Sequence, residues 1–271
     1  MTNVANQRQP GSTHEMSQMH KPLGDAKDGP KPGGDTPSIV ERLNALSWRE
    51  LHDSLSARGY AETGPLLTPE ECSGLRSLYF RDELFRSKVV MEHLRFGRGD
   101  YKYFANPLPQ IVREVRTHVY PHVAKVANDW SEALDGETRF PLDHAAFLKQ
   151  CHDAGQTRPT PLLLHYEQDG YNCLHQDIYG AVAFPLQMVL MLGQQGRDWQ
   201  GGEFVLVEQR PRAQSAVEVI TPGPGCAVIF TTRYRPVRGA KGYYRVNMKH
   251  GVSRVRSGTR YTLGIIFHDA E

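Results

Sequence analysis

HYEQDGYNCLHQD, residues 165–177, is the stretch on which the reading of this chain turns. It closes on His175-Gln176-Asp177. On an extended segment successive side chains alternate between faces, so His175 and Asp177 point the same way. An imidazole and a carboxylate so placed can grip one metal ion together, and a third ligand must then come from far along the chain. His250 is the candidate.

Working outward toward the C-terminus, the chain reads as β. Apolar or alternating runs at 162–166, 184–192, 203–207, 217–220, 227–230, 243–248 and 261–267 are separated by turn residues. These include Gly193, Gly201-Gly202, Pro222-Gly223-Pro224-Gly225 and Ser257-Gly258. Many short strands without intervening helices predict a sandwich or jelly roll. No internal repeat is evident.

Working outward toward the N-terminus, helical periodicity takes over. Apolar residues recur at Ile111, Val115, Val119, Val123, Val126 and Trp130, and a second periodic run spans 140–151. Ser47-Trp48-Arg49-Glu50 and Thr68-Pro69-Glu70-Glu71 read as capping boxes, the first helix stopping at Gly59 and the second opening on a proline. Residues 87–104 read as a hairpin turning at Gly97-Arg98-Gly99-Asp100, and the embedded Arg-Gly-Asp is read as a turn. Residues 1–36, rich in Gly, Pro, Lys and Asp, cannot bury enough apolar surface to offset their ordering entropy and are expected to be disordered. The expected organisation is α+β: a tail over 1–36, a helical support region over 37–159, and a double-sheet barrel over 160–271.

At 271 residues and net charge +2, composition excludes neither enzyme nor binding module. Cys72, Cys151, Cys173 and Cys226 are scattered, which excludes a disulfide scaffold and a zinc ribbon. No apolar run reaches membrane-spanning length and the N-terminus lacks a signal-peptide pattern, so a soluble cytoplasmic protein is expected.

Two histidines and one carboxylate on one side of a metal, with the other side open, suit non-haem Fe(II). Either half of this set is weak alone. Ten residues beyond His250, however, stands Arg260, followed by apolar Leu263, Ile265 and Phe267. A guanidinium among such neighbours matches a dicarboxylate co-substrate, which it can bind in bidentate geometry. Cys173 is read as a small buried hydrophobe rather than a ligand, and His165 and His268 as ordinary hydrogen-bonded or exposed histidines. Trp199 is read as a cap on the barrel mouth or a packing residue.

Taken in order, Tyr166, Gly170, His175-Gln176-Asp177, Gly201-Gly202-Glu203-Phe204, His250-Gly251-Val252 and Arg260 resemble the Fe(II)/2-oxoglutarate dioxygenase superfamily, over roughly residues 160–268. The resemblance implies a double-stranded β-helix barrel with Fe(II) held by His175, Asp177 and His250. It implies 2-oxoglutarate paired with Arg260, with Tyr166 and Thr262 beside it, O2 as oxidant, and ascorbate as a candidate reductant. With Phe96-Gly97-Arg98-Gly99, Thr157-Arg158-Pro159-Thr160-Pro161 and Gly242-Tyr243-Tyr244-Arg245-Val246-Asn247 included, the whole chain further resembles a bacterial family of oxygenases described as acting on damaged nucleic acid. Leu174-His175-Gln176-Asp177 matches the wording of AlkB-type demethylases, but Leu164 stands where those have asparagine. The short His250-to-Arg260 interval is similar to that of prolyl hydroxylases.

Between Val219 and His268 there is no acidic residue and nine basic ones occur. Arg233, Arg235, Arg238, Lys241 and Arg245, interleaved with Tyr243 and Tyr244, are the expected surface for single-stranded or damaged nucleic acid, through phosphate attraction and base stacking. The favoured function is oxidative hydroxylation or demethylation of alkylated bases. A hydroxylase of a protein side chain or small metabolite, and a barrel that binds without catalysis, are the alternatives.

Overall fold

In a computed structural model, which describes residues 36–177 and 180–271, the β-rich half forms antiparallel sheets and the periodic runs form helices against one of them. Along the chain come α1 (Ile39–Asn44), α2 (Trp48–Arg58), β1 (Tyr60–Pro65), α3 (Pro69–Leu78), β2 (Phe85–Val90), α4 (Met91–Leu94), β3 (Gly97–Arg98) and β4 (Asp100–Phe104). Next are α5 (Gln110–Ala133), α6 (His144–Asp153), β5 (Leu162–Tyr166), β6 (Tyr171–His175), β7 (Leu186–Met191), β8 (Trp199–Gly201), β9 (Phe204–Gln209) and β10 (Ala216–Ile220). The chain ends with β11 (Cys226–Thr231), β12 (Tyr234–Gly239), β13 (Gly242–Val252), β14 (Val255–Gly258) and β15 (Arg260–Ile266). One sheet has the order β1-β11-β7-β15-β5-β4-β2. The other runs β10-β9-β13-β6-β3, with β12 also paired to β13.

The seven-stranded sheet is covered on both faces, which explains why β7, Leu-Gln-Met-Val-Leu-Met, is buried from end to end. Leu186, Met188 and Leu190 face the helices with Leu163, Leu263 and Ile265. The stripe Val112, Val115, Val119, Val123, Val126 and Trp130 of α5 lies in the same cluster. Val189 and Met191 point the other way and meet Phe204, Leu206, Phe230 and Met248 between the sheets. Each fully buried side chain of this kind contributes about 1.5–3 kcal/mol.

A polar bolt fastens α5 to the end of β15. Arg116, 3% exposed, donates to Ile266 O at 2.8 Å, Phe267 O at 3.0 Å and Asp269 Oδ1 at 2.8 Å. Asp269 is itself 3% exposed and also meets His152 Nε2 at 2.9 Å.

Several expectations change. Thr68 caps α3 in a full capping box, as does Ser38 for α1, which the sequence reading passed over. Ser47 precedes α2 but makes no side-chain cap: its ψ of 78° differs from the 159° and 163° of Ser38 and Thr68, and turns the hydroxyl away from the first-turn amides. The helix does end at Gly59, at φ 80°. The second periodic run becomes helical only at His144, where Asp143 accepts from Ala146 N at 2.7 Å. The expected hairpin exists as β2 paired with β4, but β3 between them crosses to the other sheet and pairs with β6. Residues 37–159 therefore supply β1 to β4 as well as the helical layer. Residues 37–271 form one compact unit, and the expected tail lies outside the described residues apart from Thr36. No helix among the described residues is long and apolar enough to cross a membrane.

Candidate metal centre and cavity

His175 and His250 lie directly opposite each other where β6 meets β13. The next paired positions are Asn172 and Val252, so three steps along β6 match two along β13. The extra residue is a β-bulge, a device that re-aims side chains. It brings both Asn172 and His175 to the cavity and leaves Cys173 and Leu174 exposed. Just beyond β6 the chain is pinned at Gln176, whose Nε2 donates to Arg233 O at 2.7 Å and Met248 O at 2.9 Å. Asp177 N donates to Thr232 O at 3.3 Å.

These contacts aim the three side chains at one point. Asp177 Oδ1 is 3.5 Å from His175 Nε2, and Oδ2 is 3.3 Å from His250 Nε2. One donor atom from each residue lies within 4.8 Å of the others. His175 Nδ1 sits 2.7 Å from Cys173 O; donating there, it leaves Nε2 as the basic nitrogen facing Asp177. Burial works to raise the Asp177 carboxyl, but hydrogen bonding and charge from His250, then His175, outweigh it and hold it at about 2. Burial, reinforced by His250, pulls His175 down. A neutral imidazole and an ionised carboxylate are the forms that bind metal.

The opposite wall comes from alternation along β15. Leu263 and Ile265 face the helices, while Arg260, Thr262, Gly264 and Ile266 line the cavity. Arg260 pairs in register with Tyr166 on β5, and Thr262 with Leu164. Arg260 is 1% exposed. Its Nη1 lies 3.5 Å from Thr262 Oγ1, its Nη2 3.9 Å from Met191 Sδ, and its Nε has no hydrogen-bond partner among the described residues. The Tyr166 and Trp199 rings flank it at 5.4 and 6.0 Å. Glu203 acts on it at longer range but bonds Ser253 and Gln195 instead. Burial lowers the Arg260 pKa and pushes the Tyr166 phenol up to about 12, against the pull of Arg260. The Tyr166 hydroxyl lies near Asn172 without a hydrogen bond of normal geometry.

The cavity between these walls has a volume of about 310 Å³, within the range of small-molecule sites. A two-histidine, one-carboxylate cluster could hold a ferrous ion. A buried guanidinium with no carboxylate on it among the described residues could receive an anionic ligand. The structure thus brings together all six residues singled out from sequence. Asn172 and Gln176 were missed. The bulge conceals the first, and only the tertiary contacts with Arg233 and Met248 reveal the second.

The basic stretch divides on folding. Arg233, Arg238, Lys241, Tyr243 and Arg245 are exposed, with the Arg245 guanidinium 4.9 Å from the Tyr234 ring. Arg235 does not belong to that surface. Strand alternation turns it inward, where at 4% exposure it donates to Glu208 Oε2 at 2.6 and 3.0 Å and to Ser56 O. Arg238 and Lys241 flank the turn at the far end of β12 and β13. That turn lies eight residues along β13 from His250, about 25 Å.

Residues 99–270 match the model of a family described as an oxygenase catalysing oxidative methylation of damaged DNA. Uncharacterized proteins from two strains of Mycobacterium tuberculosis are 44% identical over 167 residues, 62% of this chain and 72% of theirs. Among solved structures, the chain is similar to a Pseudomonas putida prolyl-4-hydroxylase, at TM-score 0.49 and 13% identity, covering 83% of this chain and 99% of that one. It is also similar to an oxidoreductase of the 2OG-Fe(II) oxygenase family from Burkholderia pseudomallei, at TM-score 0.48 and 14% identity, covering 84% and 94%. With the family match spanning more than half of its length and the His-Asp-His cluster inside that match, this chain belongs to the family of oxygenases so described.

Proposed function

We propose that His175, Asp177 and His250 hold Fe(II), that Arg260 binds the distal carboxylate of 2-oxoglutarate, and that the substrate is an alkylated base in single-stranded or damaged DNA. On this reading the two sheets form a double-stranded β-helix, supported by the orders β11-β7-β15-β5 and β10-β9-β13-β6 at their centres. The observation that carries the proposal is Arg260, a sealed guanidinium without an anionic partner among the described residues, in the same cavity as the His-Asp-His cluster. Thr262 and Tyr166 offer hydroxyls on either side of it.

The chain's own residues then have separate tasks. Asp177 and the two histidines fix the metal on one side of the cavity, and Gln176 holds their loop against β12 and β13. Arg260 orients the co-substrate through parallel hydrogen bonds, and the apolar lining of Val189, Phe204 and Phe230 excludes water. With iron and 2-oxoglutarate bound, the site supplies oxidation of a substrate C–H bond by O2, coupled to release of succinate and carbon dioxide. When the carbon is an N-methyl group, the hydroxymethyl product expels formaldehyde and the base is restored. Such chemistry removes a methyl group already present on the base. Ascorbate as reductant remains part of this proposal.

Succinate release from 2-oxoglutarate by the purified protein with Fe(II), with and without methylated single-stranded DNA, tests the reading. DNA-stimulated release together with loss of the methyl group supports it. Turnover that DNA leaves unchanged removes the substrate assignment. The ten-residue interval from His250 to Arg260 favours one second reading, hydroxylation of a protein side chain, for which a proline-containing peptide would provide the stimulation instead. His250→Ala should reduce succinate release to background while the circular dichroism spectrum stays native.

A further inference from the structure

The cavity meets solvent at a rim whose composition the metal and co-substrate do not explain. Of its lining residues, four are exposed: Arg95 and Phe96 from the turn between α4 and β3, and Cys173 and Leu174 from the β6 bulge. Phe96 is 41% exposed and Leu174 48%. Tyr101 and Tyr103 of β4 also line the cavity, their rings edge to face at 5.4 Å. Large apolar side chains left open at the entrance to a cavity mark a binding surface.

The rim is firmly built. Phe96 N donates to Met91 O at 3.0 Å, and Phe96 O accepts from Cys173 N at 2.8 Å, two residues from His175. Gly97, at φ 144°, lets β3 lie so close to β6 that a Cβ there would stand 2.2 Å from Tyr171 O. The Phe96 ring is therefore carried on a segment fastened directly to the strand that bears His175. Beside it Arg95, at φ 60°, forms no ion pair among the described residues. Its neighbour Arg98 faces Glu92 and Asp169.

We propose that this rim is the substrate-entry subsite: the Phe96 ring, backed by Leu174, stacks on the flat face of a base leaving its strand, and Arg95 receives the adjoining phosphate. This rests on the DNA reading given above and assigns its specificity to residues outside the basic β12–β13 hairpin. An aromatic face with a cation one residue away fits the pairing of base and phosphate in a single nucleotide. The Arg238–Lys241 end of the hairpin is too far from His250 to hold the nucleotide being oxidised.

The test compares Phe96→Ala, Phe96→Trp, Arg95→Ala and Arg95→Lys with the unaltered chain. It reads binding of a methylated single-stranded oligonucleotide by fluorescence anisotropy, and kcat/KM by succinate release. Phe96→Ala should weaken oligonucleotide binding and lower kcat/KM by about tenfold, the scale of one lost base stack, and Phe96→Trp should restore both. Arg95→Ala should lower the slope of log affinity against log salt by about 0.7, one phosphate contact, and Arg95→Lys should preserve it. The affinity for 2-oxoglutarate should stay unchanged throughout. If the unaltered chain acts on the oligonucleotide while Phe96→Ala binds and turns over normally, the subsite is wrong and the DNA reading stands. If the unaltered chain neither binds nor oxidises the oligonucleotide, both fail. A tenfold loss confined to a proline-containing peptide would overturn the base assignment and make the rim a peptide site.

Discussion

Arg116 and Arg260 both carry a guanidinium into the interior, at 3% and 1% exposure, but the chain surrounds them differently. Arg116 meets two main-chain carbonyls and the buried Asp269. Arg260 meets a distant hydroxyl, a thioether and two aromatic rings. Burying a charge is costly unless it is paired and hydrogen-bonded. The first site is complete within the chain and belongs to its architecture. On the proposed reading the second is completed by a ligand, and its charge is held ready at the expense of the stability of the unliganded protein.

Exchanging each arginine for a residue of similar length without charge is the strongest way to break this contrast. Arg260→Met should raise the 2-oxoglutarate concentration needed for half-maximal succinate release by about 100-fold, the scale of truncating one partner of a buried charge pair. It should leave thermal stability without co-substrate equal or higher. An unchanged requirement would remove Arg260 from the co-substrate site. Arg116→Met should do the reverse, costing about 3–5 kcal/mol in urea unfolding because Asp269 is left buried and unpaired, with the 2-oxoglutarate requirement of the folded fraction unchanged. Equal stability losses in the two variants would erase the distinction.

A smaller effect sharpens it. Burial, and then the charge of Arg116, push His144 from 6.5 down to about 4. The folded chain binds this proton less readily than the unfolded one. The stabilisation from neutral His144 is therefore complete above about pH 6.5 and is lost as pH falls from there to about 4. His144→Gln should flatten that part of a stability–pH curve measured by urea midpoints. Arg116→Met should shift it toward higher pH. A curve identical to that of the unaltered chain would separate His144 from the Arg116 site.

What could be read in the letters is what local spacing determines. His175, Asp177, His250 and Arg260 stand out because a period of two fixes their faces and apolar residues surround Arg260. Helices α2, α3 and α5 follow from caps and periodicity, and most strand cores from their apolar runs. Properties set by a distant partner are another matter. Nothing near Arg235 announces Glu208, which turns it from a contact residue into a structural one. Nothing near residues 60–104 announces that β1 to β4 join sheets built mainly from the other half of the chain. The Ser47 motif has the right letters, but the turn before it sets the wrong ψ. Phe96 and Leu174 are unremarkable apolar letters until the fold leaves them uncovered beside a cavity.

β6 spends one more residue than β13 between the Asn172–Val252 and His175–His250 pairs. Were the bulge flattened into regular pairing from Asn172 onward with no residue lost, His175 would stand opposite Lys249 and look outward while every letter of the proposed triad remained in the sequence. A search that merely tallies iron ligands would pass such a chain as competent. Whether a distant relative gathers the proposed ligands is then decided by where β6 and β13 shift register as much as by the ligand letters themselves.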